Sequence, residues 1–327
     1  MEKNYIVMDL EWNQCPDGKD GSLEELPFEI VEIGAVRLNE KLEECGEFHK
    51  LIRPRVYLQM HYVISEVTHL DMKELLHEGE EFAEAATAFI EWCGRDAVFC
   101  TWGNMDMTEL QRNMAYYQIP NPYERPLLYY DIQKLYSRLK EDGRMRSSLE
   151  LAVEQLEIPE DRPFHRALDD AHYTGLVMKY MGFPSVLEYR SMDYYRPPQT
   201  AEEEVYLVFP DYSKYVSRVF NSKEEAIADK TVADLVCCRC RRMLRKKIRW
   251  FPFNQRFYFA LGICPEHGCL KGKIRMKRTG DGRVFAVKTM KLIGEDAAKQ
   301  LYEKKEEVRM KRNQRTKLRY QSKKKDV

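Results

Sequence analysis

The stretch YIVMDLEWNQ, residues 5–14, has the apolar character of a buried strand, yet it carries two acids, Asp9 and Glu11. Residues two apart on a strand project from the same face. The pair must therefore lie side by side near the strand's end, where an open α/β sheet tends to hold its ligands. Ile6, Met8 and Leu10 point the other way, into a core. Like charges so placed repel, and a fold that accepts them needs compensation from elsewhere. A divalent cation such as Mg²⁺ or Mn²⁺, which prefers carboxylate oxygen, is the compensation chemistry offers.

What surrounds this strand sets the fold class. Residues 5–11, 29–38 and 47–53 read as three successive strands rich in Val, Ile and aromatics. A helix follows over 80–93, with Phe82, Ala85, Ala86, Phe89, Ile90 and Cys93 at helical spacing. Next come strands at 97–102 and 127–131, and helices at 106–117, 132–140, 147–156 and 166–181. Three strands followed by alternating helix and strand predict an α/β domain over 1–190, a mixed sheet flanked by helices.

Two further stretches supply carboxylates. TWGNMDMTEL puts Asp106 at the opening of a helix, where its charge suits the helix N-terminus; an acid there is also a common cap. FHRALDDAHYTGLVMKYM puts His165 just before a helix with Asp169 and Asp170 in its first turn. A lone histidine beside a helix start is ordinary surface, but one with acids four and five residues on is a candidate for joining the first three acids.

In this order the residues resemble the DEDDh branch of the DnaQ-like 3′–5′ exonucleases, closest to the KapD-like and Eri-like group, over roughly residues 1–182. Asp9-Leu10-Glu11 is similar to the first motif, EIVEIGAV to the second strand, and HYVISEVTHLD to the turn that follows. WGNMD is similar to the second motif and HRALDDA to the third, whose five-residue spacing selects Asp170 over Asp169. The resemblance implies an RNase H-like fold. It also implies two Mg²⁺ or Mn²⁺ ions held by Asp9, Glu11, Asp106 and Asp170, with His165 as general base. Many relatives follow the first motif with threonine or another small residue near the terminal nucleotide. Here Trp12 and Asn13 occupy those positions, as candidate nucleic-acid contacts.

The net charge of zero conceals two opposed halves. Residues 231–327 hold 28 Lys and Arg against 9 Asp and Glu, whereas residues 1–230 hold 25 against 44. A basic half joined to an acidic one suits a polyanion, most often nucleic acid, although a solvated basic face is the plainer alternative. Residues 191–204, with paired prolines and an acidic run, read as a linker. Residues 205–293 read as a smaller basic α+β module. EVYLVFP is a strand there, 222–230 a short helix opened by Ser222, and KIRMKRTGDGRVFAVKTMKLI a hairpin. Residues 294–327 form a basic helical tail whose last stretch, from Lys311, is expected to fray when free.

Cys237-x-x-Cys240 and Cys264-x-x-His267 have zinc-ribbon-like spacing for a structural Zn²⁺, with Cys269 as an alternative to His267 and Cys238 able to replace a neighbour. Between them, Lys246, Lys247, Arg249 and Trp250 lie in a basic and aromatic run suited to phosphates and unpaired bases. Any single aromatic there is as readily part of the module's own core.

No apolar run approaches the ~18 residues of a transmembrane helix. With nine scattered cysteines and no export signal, the chain is read as soluble and cytoplasmic, acting without a membrane. The expected activity is metal-dependent removal of nucleoside 5′-monophosphates from a free 3′ end of RNA or DNA. A catalytically silent nucleic-acid-binding or regulatory protein, a proofreading exonuclease attached to a polymerase and a small oligoribonuclease are the alternatives.

Overall fold

A computed structural model describes residues 4–325 except 142, 144 and 255, and the side chains among them except those of 19 and 315–325. The chain divides between Arg196 and Pro197 into two compact units.

The first unit is built on a six-stranded mixed sheet. Strands β1 (Tyr5–Gln14), β2 (Phe28–Leu38) and β3 (Glu44–Leu51) are antiparallel. β4 (Val98–Thr101) joins β1 in parallel, β5 (Leu128–Asp131) joins β4 in parallel, and a short β6 (Ser191–Met192) closes the edge antiparallel to β5, giving the order β3-β2-β1-β4-β5-β6. β1 lies inside the sheet and is buried on both faces, which explains the continuous apolar run at its start, residues 5–8. On one face Ile6, Met8 and Leu10 pack against α3 (Phe82–Cys93) and α4 (Asp106–Tyr116). The other face is covered by α7 (Ala167–Met181), which lies on β1 and β2.

The mixed α/β sheet with helices on both faces is the fold class expected from the sequence. Helices α5 (Ile132–Lys140) and α6 (Leu149–Gln155) also fall where they are expected. A short helix, α1 (Tyr62–Thr68), occupies the stretch HYVISEVTHLD read as a turn, and a second, α2 (Met72–Glu78), follows it where no element was expected from the sequence. Residues 191–196, assigned to a linker, are docked on the first unit instead. Asp193 Oδ1 accepts from Gln111 Nε2 at 2.7 Å, and Arg196 donates to Gln111 Oε1 and to the backbone carbonyls of Asn121 and Glu124.

The second unit is α+β around an antiparallel sheet of order β7-β8-β12-β11-β10-β9. Its elements are β7 (Val205–Val208), β8 (Tyr212–Val216), α8 (Lys223–Ala228), α9 (Lys230–Ala233), β9 (Lys246–Pro252), β10 (Phe257–Cys264), β11 (Gly268–Arg278), β12 (Val284–Leu292) and α10 (Glu295–Lys325). β8, β9 and β10 were not assigned from the sequence. One face packs Ile274, Met276 and Ala286 against Ala226 and Val232 of the small helices. The other packs Ile248, Phe251, Phe259 and Leu261 against Ala298 and Leu301 of α10. The basic end of α10, expected to fray, is helical through Lys325, in keeping with the helix propensity of its Lys, Arg and Gln residues. Residues 326 and 327 lie outside the described residues. Among the described residues, no helix is long and apolar enough to cross a membrane.

Candidate functional site

The register of β1 on β2 sets the site. Asp9 faces Gly34 and Glu11 faces Glu32, and the pairing shifts at a bulge between Glu11 and Trp12. Bulges re-aim side chains and often adjoin active sites. Gly34 is what admits α7. A Cβ built there would lie 2.0 Å from Leu168 N and 2.1 Å from the Ala167 carbonyl carbon, so only glycine lets the helix start rest on the strand. The first turn of α7 then brings Asp170 beside Asp9 and Glu11, with one carboxylate oxygen of each within 4.8 Å of the others.

Asp106, the first residue of α4, arrives from the β4 side. All four acids line one cleft of roughly 340 Å³ with Leu10, Trp12, Trp102, Gly103, Asn104, Met105 and Gln133. Asp169 points elsewhere and pairs with Arg162 at 3.6 Å.

The electrostatics follow from how closely the four acids share this space. Burial, then Asp106, Glu11 and Asp170, pushes the Asp9 carboxyl well above its usual range. Burial and the Asp170 and Glu32 charges push Glu11 up to about 9. Burial raises Asp106 to about 7 against the opposing backbone N–H groups of Asp106 and Leu10. Asp170 is also raised to about 7, by burial first. Such a cluster is strained as bare anions and accommodating to hard cations, for which its oxygen-only donor set is suited. The residues present therefore fit a divalent metal centre.

His165 sits differently from the acids. It adopts a left-handed backbone, φ 64°, and its N–H donates to Asp170 Oδ1 at 3.2 Å. Its half-exposed imidazole does not line the cleft; Nε2 lies 3.1 Å from Glu150 Oε1.

Glu32 was missed in the sequence, where it reads as one more strand residue. It is fully buried and binds His49 Nε2 at 2.6 Å, Arg166 Nη2 at 3.0 Å and the Ala167 N–H at 3.3 Å. Burial alone would raise its carboxyl, but His49, Arg166 and Ala167 outweigh that and hold it below the usual range. Glu32 thus fastens the start of α7 to β2. The available signal was an acid at interior register inside EIVEIGAV.

Of the other expected contacts, Trp12 lines the cleft and packs on Phe28, ring centroids 5.6 Å apart. Asn13 does not reach it. The Asn13 side chain is buried, donates to the carbonyls of Tyr57 and Gln59, and accepts from the His61 N–H, so it anchors the following segment rather than meeting a ligand.

In the second unit, Cys237, Cys240, Cys264 and His267 converge. Cys240 Sγ lies 3.6 Å from Cys264 Sγ, and His267 Nδ1 lies 3.5 Å from Cys264 Sγ and 3.7 Å from Cys237 Sγ. Bonds of about 2.3 Å to sulfur arranged tetrahedrally set neighbouring sulfurs about 3.8 Å apart, so the cluster fits one zinc ion. Burial opposes ionisation of the Cys264 thiol, but the N–H groups of Glu266 and His267 and the imidazole bring it down to about 6. Cys269 packs with the α10-side cluster instead, which favours His267 as the fourth ligand. Lys247 and Arg249 are exposed and Lys246 is half-buried, all on the edge strand β9. Trp250 is a packing residue: its indole N–H donates to the Ala233 carbonyl at 2.7 Å, and its ring lies against Gly272.

A family model described as "Exonuclease" (RNase_T) matches residues 6–178. The chain belongs to this exonuclease family. It is a hydrolytic enzyme, and the first unit carries the match. The exonuclease is 27% identical over 170 residues to the probable 3′-5′ exonuclease KapD of Bacillus subtilis (strain 168), covering 51% of this chain and 79% of that protein. Among solved structures, the nuclease domain of 3′hExo, a DEDDh family member, bound to rAMP matches at 21% identity and TM-score 0.47, over 56% of this chain and 93% of that one. A full-length 3′-exonuclease matches at 20% identity and TM-score 0.47, over 56% and 83%.

Proposed function

We propose that the first unit removes nucleoside 5′-monophosphates one at a time from a free 3′ end of RNA or DNA. The observation that carries this is the convergence of Asp9, Glu11, Asp106 and Asp170 from three distant segments into one cleft. The likeness to KapD supports the 3′–5′ polarity. The four carboxylates would hold two divalent cations, Mg²⁺ or Mn²⁺. Bound there, such ions supply a water of lowered pKa and offset the charge that builds on the scissile phosphate. The chain's own side chains do the rest. Trp12, on the cleft wall, offers a ring face to the terminal nucleotide. His165 takes the proton of the attacking water at its imidazole; in this conformation Glu150 engages Nε2, so the ring must exchange that partner as substrate binds. Glu32, through Arg166 and Ala167, is a positioning residue.

The second unit holds a structural Zn²⁺ through Cys237, Cys240, Cys264 and His267, and its excess of basic residues binds nucleic acid. Being on the same chain, it raises the effective concentration of substrate for the first unit.

The test is digestion of matched RNA and DNA oligomers, with free or blocked 3′ hydroxyls, in Mg²⁺ or Mn²⁺. Nucleoside 5′-monophosphates should appear only from open 3′ ends. Asp9→Asn and Asp170→Asn should lose about a hundredfold or more in rate, and His165→Ala about 10²–10⁴-fold. Digestion of blocked and open ends alike, or Asp9→Asn at the parent rate, would refute the assignment. A chain that binds oligomers but never cuts them would instead be a silent binder.

A further inference from the structure

The α10 side of the second sheet carries a row of cations away from β9. Lys271, Lys273 and Arg275 alternate along β11 and face the same way, about 6.8 Å apart at successive steps. Lys304 of α10 joins them. Among the described residues, none of the four has a carboxylate at ion-pair distance. Their positive charges rest on aromatic rings instead. Lys273 Nζ lies 4.7 Å from the Phe257 ring centre, and Arg275 lies 5.9 Å from it. Lys304 Nζ lies 4.3 Å from the exposed ring of Phe253 and 5.3 Å from Phe259, and Lys271 lies 5.1 Å from Phe259.

Crowding has a cost. Partial burial, then the neighbouring cations Lys304, Lys273 and Lys291, lowers the Lys271 ammonium below its usual range; burial, Arg275 and Lys304 do the same to Lys273. Self-repelling cations gathered without acids are relieved by a polyanion. Their repeat along an extended strand matches a polymer with regularly spaced phosphates, and the adjoining Phe rings offer stacking faces for unpaired bases.

We propose that Lys271, Lys273, Arg275 and Lys304, with Phe253 and Phe257, form a track for the backbone and bases of single-stranded nucleic acid. This rests on the reading of the second unit as nucleic-acid-binding, and names its surface. On binding, the ammonium groups leave the ring faces for phosphates and bases take their place.

The experiment uses the full chain. Anisotropy of a labelled single-stranded oligonucleotide is titrated across salt, without divalent cation, in an Asp9→Asn background that suppresses digestion. Lys271→Ser/Lys273→Ser/Arg275→Ser should weaken affinity tenfold or more and flatten the log K against log salt slope by about 2. In the parent background the same triple variant should keep its turnover of a dinucleotide. Phe257→Leu, which preserves apolar packing, should weaken oligonucleotide binding by about fivefold or more while leaving inorganic polyphosphate binding unchanged.

If the triple variant binds as before while Lys247→Ser/Arg249→Ser weakens binding, the track is wrong and the second unit still binds through β9. If neither set changes affinity or slope, the track and the wider reading both fall. If the triple variant loses binding only to phosphatidylserine vesicles, the surface is a lipid site and the proposal is overturned.

Discussion

Asp9, Glu11, Asp106 and Asp170 illustrate how a residue's chemistry can oppose its own fold. Each carboxyl is raised in the folded state, Glu11 to about 9 and Asp106 and Asp170 to about 7. A raised carboxyl disfavours the folded state once it must ionise. Cation-free, this cost is absent below the ordinary carboxylate range near pH 4 and grows as pH rises toward 7–9. Asp9→Asn should therefore raise the cation-free Tm, more at pH 8 than at pH 5, by about 2–4 °C for each kcal/mol of repulsion removed. Divalent cation should raise the parent's Tm more than the variant's. Scanning calorimetry at both pH values checks this, and a variant less stable than its parent at pH 8 would show the acids to be structurally needed. The residue types were legible in the sequence because metal chemistry restricts them. The roles of Asn13 and Trp250 were not: an amide or indole looks the same in sequence whether it meets a ligand or a backbone carbonyl.

At the level of elements, the site depends on α7 resting directly on β2. Gly34 leaves the space and Glu32 supplies the fastening, both on the strand face shared with Asp9 and Glu11. In Gly34→Ala the new methyl would meet backbone atoms of Ala167 and Leu168, which no side-chain rotation can clear. The start of α7, and Asp170 with it, must then move. Misplacement by about 1 Å can cost a hundredfold in rate, and overpacking costs about 1–3 kcal/mol. Kinetics and denaturant unfolding together read both effects, and parent-like kcat/KM in Gly34→Ala would refute this positioning. The long elements of the first unit were readable because apolar spacing follows geometry directly. β8 and β9 escaped notice for a physical reason: their polar positions are filled by Lys, Arg and Ser on an antiparallel sheet with partly solvated faces, so no apolar run marks them. β10, FYFALGIC, is an apolar run, but its aromatic residues read equally well as part of the basic and aromatic stretch suited to unpaired bases. The docked segment 191–196 was unreadable because its ties, such as Asp193 to Gln111, depend on tertiary placement.

For the whole molecule, the acidic front and basic back of the chain fall largely in two separately cored units, each with its own cluster of candidate metal ligands: carboxylate oxygens in the first, thiols and an imidazole in the second. That separation predicts how metal removal divides. Against the opposing effect of burial, the N–H groups of Glu266 and His267 and the imidazole bring the Cys264 thiol down to about 6, so at neutral pH it would offer zinc a thiolate without first losing a tightly held proton. A metal bound only by the folded arrangement adds its binding free energy to the fold of that unit. Cys264→Ser should therefore release about one equivalent of zinc by elemental analysis and lower the unfolding transition of the second unit. Salt-dependent oligonucleotide binding should weaken with it, while Mg²⁺-dependent turnover of a dinucleotide persists. Cys269→Ser should keep its zinc, since that sulfur packs among the residues facing α10. Zinc content that falls equally in both variants would place the fourth ligand at Cys269, and a parent chain free of zinc would leave three reduced thiols beside a histidine.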